Sequence, residues 1–457
     1  MKHVRAYRVL RIALAVATVL PRYWWLLARS YVGREPSVAS WNRAHEAAAE
    51  ALRRLALSLE GGLIKVAQIA GSRADLLPRP FIRTLSQFHD AVPPRPLEDL
   101  RPMIESELGA SLEDVFARVD ATAIGAASLA QVHRARLHDG SDVVLKIQYP
   151  EARKVIPLDL RMARRVAGLV NRMQSSIDLR SLASEITRFI ELELDFRREA
   201  ASTLRLRGVL SARGDVRVPR IHTELTRDRV LVMEYLDGIQ VTRIDALREA
   251  GHVPSEVARR VGSLYGAMLF EHGFFHGDPH PGNILVLPDG AIGLLDFGLC
   301  KELPPRFARL VAQMMVSALI GDGPAALEAA RELSFDVEEL RADHLRSLLL
   351  RVVGDSDEGD DLWEALGATK IRRIPDDFAL VLRTMMLLNG LSHRLAPGRR
   401  LIQGELLKHL AEGARAVDAV SETAVPGEAP AQALSAVGTS EGSRGAISDR
   451  RSTRPRA

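Results

Sequence analysis

Residues 276–286 read His-Gly-Asp-Pro-His-Pro-Gly-Asn-Ile-Leu-Val, and residues 294–298 read Leu-Leu-Asp-Phe-Gly. The first stretch places Asp278 and Asn283 on one loop, and the second places Asp296 at the end of an apolar run. Oxygen ligands arranged in this way can hold Mg²⁺ between nucleotide phosphates, and a further carboxylate can orient a nucleophile. The pair of stretches therefore predicts a phosphoryl-transfer site.

The two stretches are separated by a segment that predicts a hairpin, because Pro288-Asp289-Gly290 is a typical turn sequence. Their order resembles a kinase catalytic loop followed by a D-F-G motif, which requires a lysine on an upstream strand. Residues 143–147 supply this lysine as Val-Val-Leu-Lys-Ile. An edge-strand lysine that faces solvent is the alternative for this segment alone. The context favours a buried Lys146, whose ammonium needs anionic partners.

The segment before this strand differs from that of ordinary protein kinases. Kinases usually have G-x-G-x-x-G there, because glycine lets the backbone approach phosphates closely. Residues 123–133 instead read Ala-Ile-Gly-Ala-Ala-Ser-Leu-Ala-Gln-Val-His. Alanines restrict the backbone, so this loop is predicted to be stiffer than a glycine-rich loop.

Several further stretches make the chain resemble the UbiB/AarF-type atypical kinases, a family that includes the coenzyme-Q-associated kinase-like proteins. They occur in the family's order from about residue 61 to about residue 397. They are the K-x-G-Q-like segment 65–68 with 72–78, the alanine-rich loop 126–128 with 131–133, the lysine strand 144–150, the E-x-D motif 193–195 with Glu199, and the hinge-like run 231–238. Two residues depart from the family pattern: Ala67 replaces a glycine, and Gly125 stands where an alanine triplet usually begins.

The resemblance implies roles for the catalytic residues. Lys146 would hold the α- and β-phosphates or pair with Glu199. Asn283 and Asp296 would bind Mg²⁺, and Asp278 would orient a water molecule or a substrate hydroxyl. The expected cofactors are therefore ATP, or ADP, and Mg²⁺.

The resemblance also implies that two loops hold the nucleotide. The alanine-rich loop would cover the phosphates, and the hinge would bind the adenine edge through backbone hydrogen bonds. The residues concerned are Gly125, Ala126, Ala127 and Ser128 in the loop and Met233, Glu234, Tyr235 and Leu236 in the hinge.

A regulatory role is implied for the N-terminal motif. Lys65 and Gln68 would lie over the site where a protein substrate would otherwise bind. Glu193 and Asp195 are expected among their partners.

The predicted fold class is α+β, namely an atypical protein-kinase-like fold with two lobes, a helical N-terminal extension and a helix-rich C-lobe. The length of 457 residues suits this organisation. We predict a basic apolar segment at 1–34, a helical extension at 35–120, an N-lobe at 121–238, a C-lobe at 239–412 and a disordered tail at 413–457. The N-lobe is expected to contain a long helical stretch at 155–210.

The charge is distributed unevenly. A net charge of +4 is too small to indicate a nucleic-acid partner, yet the first 34 residues contain seven Lys and Arg and no acidic residue. The apolar run 12–20 is interrupted at Pro21-Arg22 and is shorter than the roughly 20 residues of a membrane-spanning helix. Two interpretations remain open. The segment lies in a membrane interface, or it packs on the kinase core with its arginines in solvent.

Three functions compete. The first is an ATPase or kinase of the UbiB type that supports isoprenoid-quinone or related lipid metabolism on the cytoplasmic side of a membrane. The second is a small-molecule phosphotransferase like the aminoglycoside and choline kinases, and the third is a nucleotide-binding pseudokinase. The segment 65–68 and the pair Glu193 and Asp195 favour the first over the second. The partners implied are a nucleotide, isoprenoid or quinone lipids and a membrane surface, and a homodimer is left open.

Overall fold

The computed structural model describes residues 2–59, 61–71, 77–85, 87, 93–173, 179–304, 306–335, 343 and 376–421. Within these ranges the chain forms a small lobe built on an antiparallel sheet and a larger, mostly helical lobe, with further helices before the small lobe. The α+β class and the two-lobed, kinase-like organisation are confirmed.

The small lobe is built on a four-stranded sheet. Its strands, in the order in which they pair, are β1 (Phe116–Ala126), β2 (Ala130–Leu137), β3 (Asp142–Gln148) and, after the short β4 (Val216–Arg217), β5 (Val230–Glu234). Strand β3 is central, and its residues Val143, Leu145 and Ile147 are fully buried. Its apolar sequence is typical of a strand that is covered on both faces.

Six helices precede β1 or lead into it among the described residues, and three lie between β3 and β4. They are α1 (Lys2–Tyr31), α2 (Val38–Leu59), α3 (Gly62–Gly71), α4 (Arg79–Leu85), α5 (Leu97–Leu108), α6 (Leu112–Val115), α7 (Ala152–Met173), α8 (Leu179–Glu193) and α9 (Phe196–Val209). The predicted helical stretch 155–210 is therefore three helices. Asp195 separates the last two, because its carboxylate accepts a hydrogen bond from the Arg198 N–H and caps α9.

The large lobe contains two small sheets and a helical body. Its elements are β6 (Ile239–Gln240), α10 (Ile244–Glu249), α11 (Pro254–Gly266), β7 (Phe274–His276), β8 (Ile284–Val286), β9 (Ile292–Leu294), β10 (Cys300–Glu302), α12 (Phe307–Ile320), α13 (Gly323–Glu332), α14 (Asp376–Leu395) and α15 (Leu401–Ser421). The predicted hairpin is confirmed, because β8 and β9 pair antiparallel with Ile284 opposite Leu294. Gly290 closes the turn at a φ of +79°, which favours glycine. Strand β4 pairs with β9 and so belongs to a sheet of this lobe.

The helices of the N-terminal extension and the small lobe share one hydrophobic core. Ile12 of α1, Leu63 of α3 and Ile104 of α5 belong to the same buried cluster as Leu145 and Val230 of the sheet. A second large cluster fills the helical lobe. The extension is therefore packed as part of the small lobe, and α3 is held beside α7 and α8.

Helix α1 differs in two details from what was expected of the first 34 residues. It runs without interruption through Pro21, and its part Ala6–Tyr31 is long and apolar enough to cross a membrane by length and composition. The predicted interruption at Pro21-Arg22 is therefore wrong, and the helix extends well beyond the run 12–20. Arg8 does not lie in solvent as expected, because its side chain is buried. Its guanidinium donates to Asp159 at 2.9 Å and to the Leu59 carbonyl at 2.6 Å.

Two predicted boundaries need correction. Strand β1 begins at Phe116, so a boundary after residue 120 would cut the first strand of the sheet. Helix α15 continues to Ser421, so residues 413–421 are helical and were wrongly assigned to a disordered tail. The remainder of the predicted tail lies outside the described residues.

Candidate active site

The side chain of Lys146 joins three elements. Its Nζ lies 2.7 and 2.9 Å from the two carboxylate oxygens of Glu199 on α9 and 3.3 Å from Oδ1 of Asp296, which follows β9. The carboxylate of Glu199 is buried, whereas 47% of the Asp296 side chain is exposed, so Asp296 opens towards the cleft between the lobes. The structure thus brings together three residues that lie 53 and 97 positions apart in sequence.

The charges in this group depend on one another. Burial alone would lower the pKa of Lys146, but Asp296 and Glu199 raise it above its usual value and keep the ammonium charged. Burial raises the pKa of Glu199 to about 7, and although the Lys146 ammonium opposes this, nearby Asp296 adds to it. Partial withdrawal from water would raise the pKa of Asp296, yet Lys146 and Lys65 hold it below its usual range. Asp296 is therefore ionised at neutral pH.

The backbone around Asp296 is fixed in an unusual conformation. Its φ is +58°, in the left-handed region that non-glycine residues seldom adopt and that costs about 1–3 kcal/mol. The buried His276 ring contacts the carbonyl oxygens of Leu295 and Asp296 through Nε2 at 3.0 and 2.7 Å, and its Nδ1 contacts the Tyr265 hydroxyl at 2.9 Å. We infer that His276 supports the backbone that holds this conformation.

Asp278 and Asn283 are neighbours on the loop that precedes β8. The Asn283 amide donates to the carbonyl oxygen of Asp278 at 3.2 Å and to its carboxylate at 3.4 Å. Leu295 donates its N–H to the Asn283 carbonyl at 2.9 Å, which sets Asn283 beside the segment that carries Asp296. The amide oxygen of Asn283 and the carboxylate oxygens of Asp296 are of the ligand type that Mg²⁺ prefers. These two residues fit the predicted ion.

Sequence reasoning missed Arg383 of α14. Its guanidinium donates to Oδ1 of Asp278 at 3.0 Å, and the neighbouring Thr384 hydroxyl donates to the Gly277 carbonyl at 3.3 Å. Helix α14 thus holds both the carboxylate and the backbone of the catalytic loop. No local motif could have indicated Arg383, because it lies 105 positions from its partner.

The alanine-rich loop joins β1 to β2 beside the Lys146 strand. Val132 pairs with Gly125 on one side and with Lys146 on the other. Ala127 donates its N–H to the Ala130 carbonyl at 2.8 Å, and Ser128 is buried. A Cβ at Gly125 would meet nothing within 4 Å, so the space around this glycine would accommodate the family's alanine.

The hinge-like run begins within β5 and continues beyond the end of this strand to the junction between the lobes. Met233 pairs with Val144 in the sheet, and the N–H of Glu234 donates to the Arg220 carbonyl at 2.8 Å. The N–H of Tyr235 donates to the Asp142 carbonyl at 3.1 Å. These two N–H groups already have protein partners, and the prediction that the four residues bind adenine through the backbone stays a prediction.

The N-terminal motif lies beside the same cleft. Lys65 of α3 forms an ion pair with Glu193 at the end of α8, and the charge of Lys65 acts on Asp296. Ala67 on the same helix is fully buried. Gln68 follows on this helix, and Asp195 caps α9. The structure contains the predicted ion pair between Lys65 and Glu193. The carboxylate of Asp195 instead caps helix α9.

Comparisons with known proteins also relate this chain to kinase-like proteins. The family described as ABC1 atypical kinase-like domain matches residues 87–330, which include the lysine strand and the catalytic hairpin but not Lys65 and Gln68. The AarF domain-containing kinase 1 of Drosophila melanogaster is 35% identical over 299 residues, which cover 65% of this chain and 58% of that protein.

Two further comparisons extend over more of the chain. The protein ACTIVITY OF BC1 COMPLEX KINASE 7, chloroplastic, of Arabidopsis thaliana is 30% identical over 383 residues, which cover 80% of this chain and 55% of that protein. The chain therefore spans less than three fifths of these two relatives. Rv3197 of Mycobacterium tuberculosis, solved in complex with erythromycin, shares the fold with a TM-score of 0.52 and 23% identity, over 79% of this chain and 98% of that one.

We expect Glu199 to make stability depend on pH. Its pKa is raised from an ordinary 4.5 to about 7, so its contribution to folding is complete below 4.5 and is lost as the pH rises through 7. A shift of this size corresponds to about 3 kcal/mol. The melting temperature of wild type should therefore fall between about pH 5 and pH 8 by several degrees more than that of Glu199→Gln. Glu328→Gln, at an exposed position on α13, is the matched control. Parallel pH profiles for wild type and Glu199→Gln would contradict the prediction.

Proposed function

Because the chain belongs to the ABC1 atypical kinase-like family, we propose that it is an enzyme that hydrolyses ATP or transfers its γ-phosphoryl group. The contact of Lys146 with both Glu199 and Asp296 carries the proposal. Catalysis of phosphoryl transfer consists mainly of positioning the phosphates and stabilising their charge. A lysine held in place by two carboxylates is suited to both. A pseudokinase is less well supported, since Lys146, Asp278, Asn283 and Asp296 are all present.

We propose a separate role for each residue of the site. Lys146, oriented by Glu199, would bind the nucleotide phosphates. Asn283 and Asp296 would hold Mg²⁺, which neutralises phosphate charge when bound. Asp278 would orient the attacking hydroxyl of water or of a substrate, with its carboxylate positioned by Arg383 at 3.0 Å.

The position of α3 favours water or a small acceptor over a protein substrate. Lys65 and its partner Glu193 lie close enough to the cleft for the Lys65 charge to act on Asp296. A polypeptide that approached Asp278 past Asp296 would meet this helix. The arrangement supports the UbiB-like interpretation, in which α3 limits access of a protein substrate to the site.

The exposed face of α1 supports a function at a membrane. Tyr7, Leu10, Leu14, Trp24 and Tyr31 are exposed and recur at helical spacing along one side. The guanidinium of Arg29 lies 4.8 Å from the centre of the exposed Trp25 ring. Because the opposite side packs on α2 and α7, we propose that α1 lies along the membrane surface. The proposed role is support of isoprenoid-quinone or related lipid metabolism.

The nucleotide site can be tested with Asp296→Asn. Loss of this carboxylate should remove most of the thermal stabilisation that ATP with Mg²⁺ gives to wild type, because a metal ligand is lost. Each protein is compared with its own ligand-free melting temperature, in Mg²⁺ and in EDTA. Asp245→Asn, at an exposed position on α10, should respond like wild type. Equal Mg²⁺-dependent shifts in Asp296→Asn and wild type would refute the assignment.

Access control by α3 can be tested with Lys65→Ala. Loss of the ion pair to Glu193 should raise ATP hydrolysis several-fold, about what coupling free energies of 1–3 kcal/mol produce. Phosphate release measures the effect, with Lys65→Arg to retain the ion pair and Lys154→Ala on the exposed side of α7 as controls. If Lys65→Ala changes neither turnover nor nucleotide affinity, α3 is a packing element only.

Membrane binding can be tested without removing α1, which is part of the core. The double variant Trp24→Ser with Trp25→Ser should float about tenfold less with vesicles of phosphatidylcholine and phosphatidylglycerol, because two large exposed rings no longer insert. Binding should also weaken with salt and without phosphatidylglycerol. Val253→Ser removes an exposed apolar residue of the other lobe and should float like wild type. Undiminished flotation of the double variant would place any membrane contact elsewhere.

A further inference from the structure

A large apolar cavity lies behind α3. It has a volume of about 310 Å³ and is lined by residues of α1, α2, α3, α4, α7 and α8. Most of its wall consists of aliphatic side chains, such as Val16, Leu52, Val166 and Ile186. The cavity is partly open to solvent, so it is a concave apolar site at the edge of the core and not an enclosed gap within it. The volume lies within the range of small-molecule binding sites.

The few polar groups at the cavity already have partners. Asp159 is paired with Arg8 at 2.9 Å. The Tyr23 hydroxyl lies 2.7 Å from Nδ1 of His45. Burial raises the pKa of Tyr23 and lowers that of His45, so both are uncharged at neutral pH. Among the described residues that line the cavity, no unbalanced charge is available for an ionic ligand, and an apolar cavity of this kind binds apolar molecules.

Helix α1 separates this cavity from the proposed membrane surface. One of its faces carries the exposed Leu14 and Trp24, and the other lines the cavity with Ile12, Val19 and Tyr23. We propose that the cavity binds the hydrocarbon chain, isoprenoid or acyl, of a membrane amphiphile. The chain would enter past α1 and lie among the aliphatic walls, and its polar end would remain towards the surface.

The cavity also contacts the helices that form the Lys65 ion pair. Leu63, Val66 and Ala70 line it from one face of α3, while Lys65 on the opposite face binds Glu193. Glu193 ends α8, which lines the same cavity with Leu182, Ala183 and Ile186. A bound chain therefore touches both helices that carry the ion pair beside Asp296. We infer that chain binding and nucleotide binding are coupled; this coupling rests on the proposed nucleotide site, whereas chain binding does not.

Chain binding can be measured on the full-length protein by the fluorescence of cis-parinaric acid. Ala51→Phe and Ala163→Phe, which place a ring in the cavity, should weaken binding about tenfold or more, because the ring takes the volume of several methylene groups. Leu169→Phe at an exposed position of α7 should bind like wild type. The two filled variants should melt no lower than wild type.

Competition on wild type gives a second measurement. Displacement of the probe by farnesol supports an isoprenoid chain, and displacement by palmitate supports an acyl chain. Failure of both to displace the probe, or equal probe binding by the filled variants and wild type, would overturn the proposed site.

The coupling is tested by measuring the affinity for cis-parinaric acid with and without ATP and Mg²⁺, and that for ATP and Mg²⁺ with and without cis-parinaric acid. Both affinities should change by the same factor, about fivefold or more, because linkage is reciprocal. Lys65→Ala should still bind the chain but should lose this mutual effect. Chain binding with unchanged nucleotide affinity would overturn the coupling and leave the site standing. Absence of nucleotide binding would refute the proposed function instead.

Discussion

The buried ammonium of Lys146 is the constraint on which the two-lobed arrangement depends. A charge in the interior is costly unless it is paired, and Lys146 meets this requirement with Glu199 and Asp296. Glu199 comes from α9 and Asp296 from the large lobe, so the pairing fixes the sheet, the helix and the hairpin relative to one another. The ring centre of Phe196 lies 5.5 Å from the Lys146 nitrogen, so the aromatic ring also stabilises the ammonium through a cation–π interaction.

A second buried pair attaches the N-terminal extension. Arg8 and Asp159 are both almost completely buried and join α1 to α7, so removal of either partner would leave an uncompensated charge. Through this pair and the shared core, the extension is part of the small lobe. The position of Lys65 beside the cleft follows from this packing, because α3 packs against α2 and α4 of the extension and also against α8.

The local parts of the fold could be predicted from the sequence. A turn sequence between two apolar runs was enough to predict the hairpin, and an apolar run with one cation was enough to predict strand β3. Long-range pairings could not be predicted, because nothing near Arg383 in sequence indicates that it meets Asp278, and nothing in the first 34 residues singles out Arg8 for burial. The continuity of α1 was missed because proline usually ends a helix. Here Ala17, one turn before Pro21, is exposed, so the carbonyl left without a helical partner can meet water.

The residues of the candidate site are easier to recognise in the sequence than the residues that hold them in place. Phosphate and Mg²⁺ chemistry restricts a few residue types to fixed local spacings, so Asp278, Asn283 and Asp296 stand out in sequence. The residues that hold them in place need only be large enough and correctly charged, and they can come from any packed element. Asp296 illustrates the difference, since its strained φ of +58° is supported by the ring of His276, which sequence could suggest, and by packing that sequence could not. The proposed regulation depends on such supporting contacts, because a change in α3 or α8 reaches the cleft through the Lys65 ion pair.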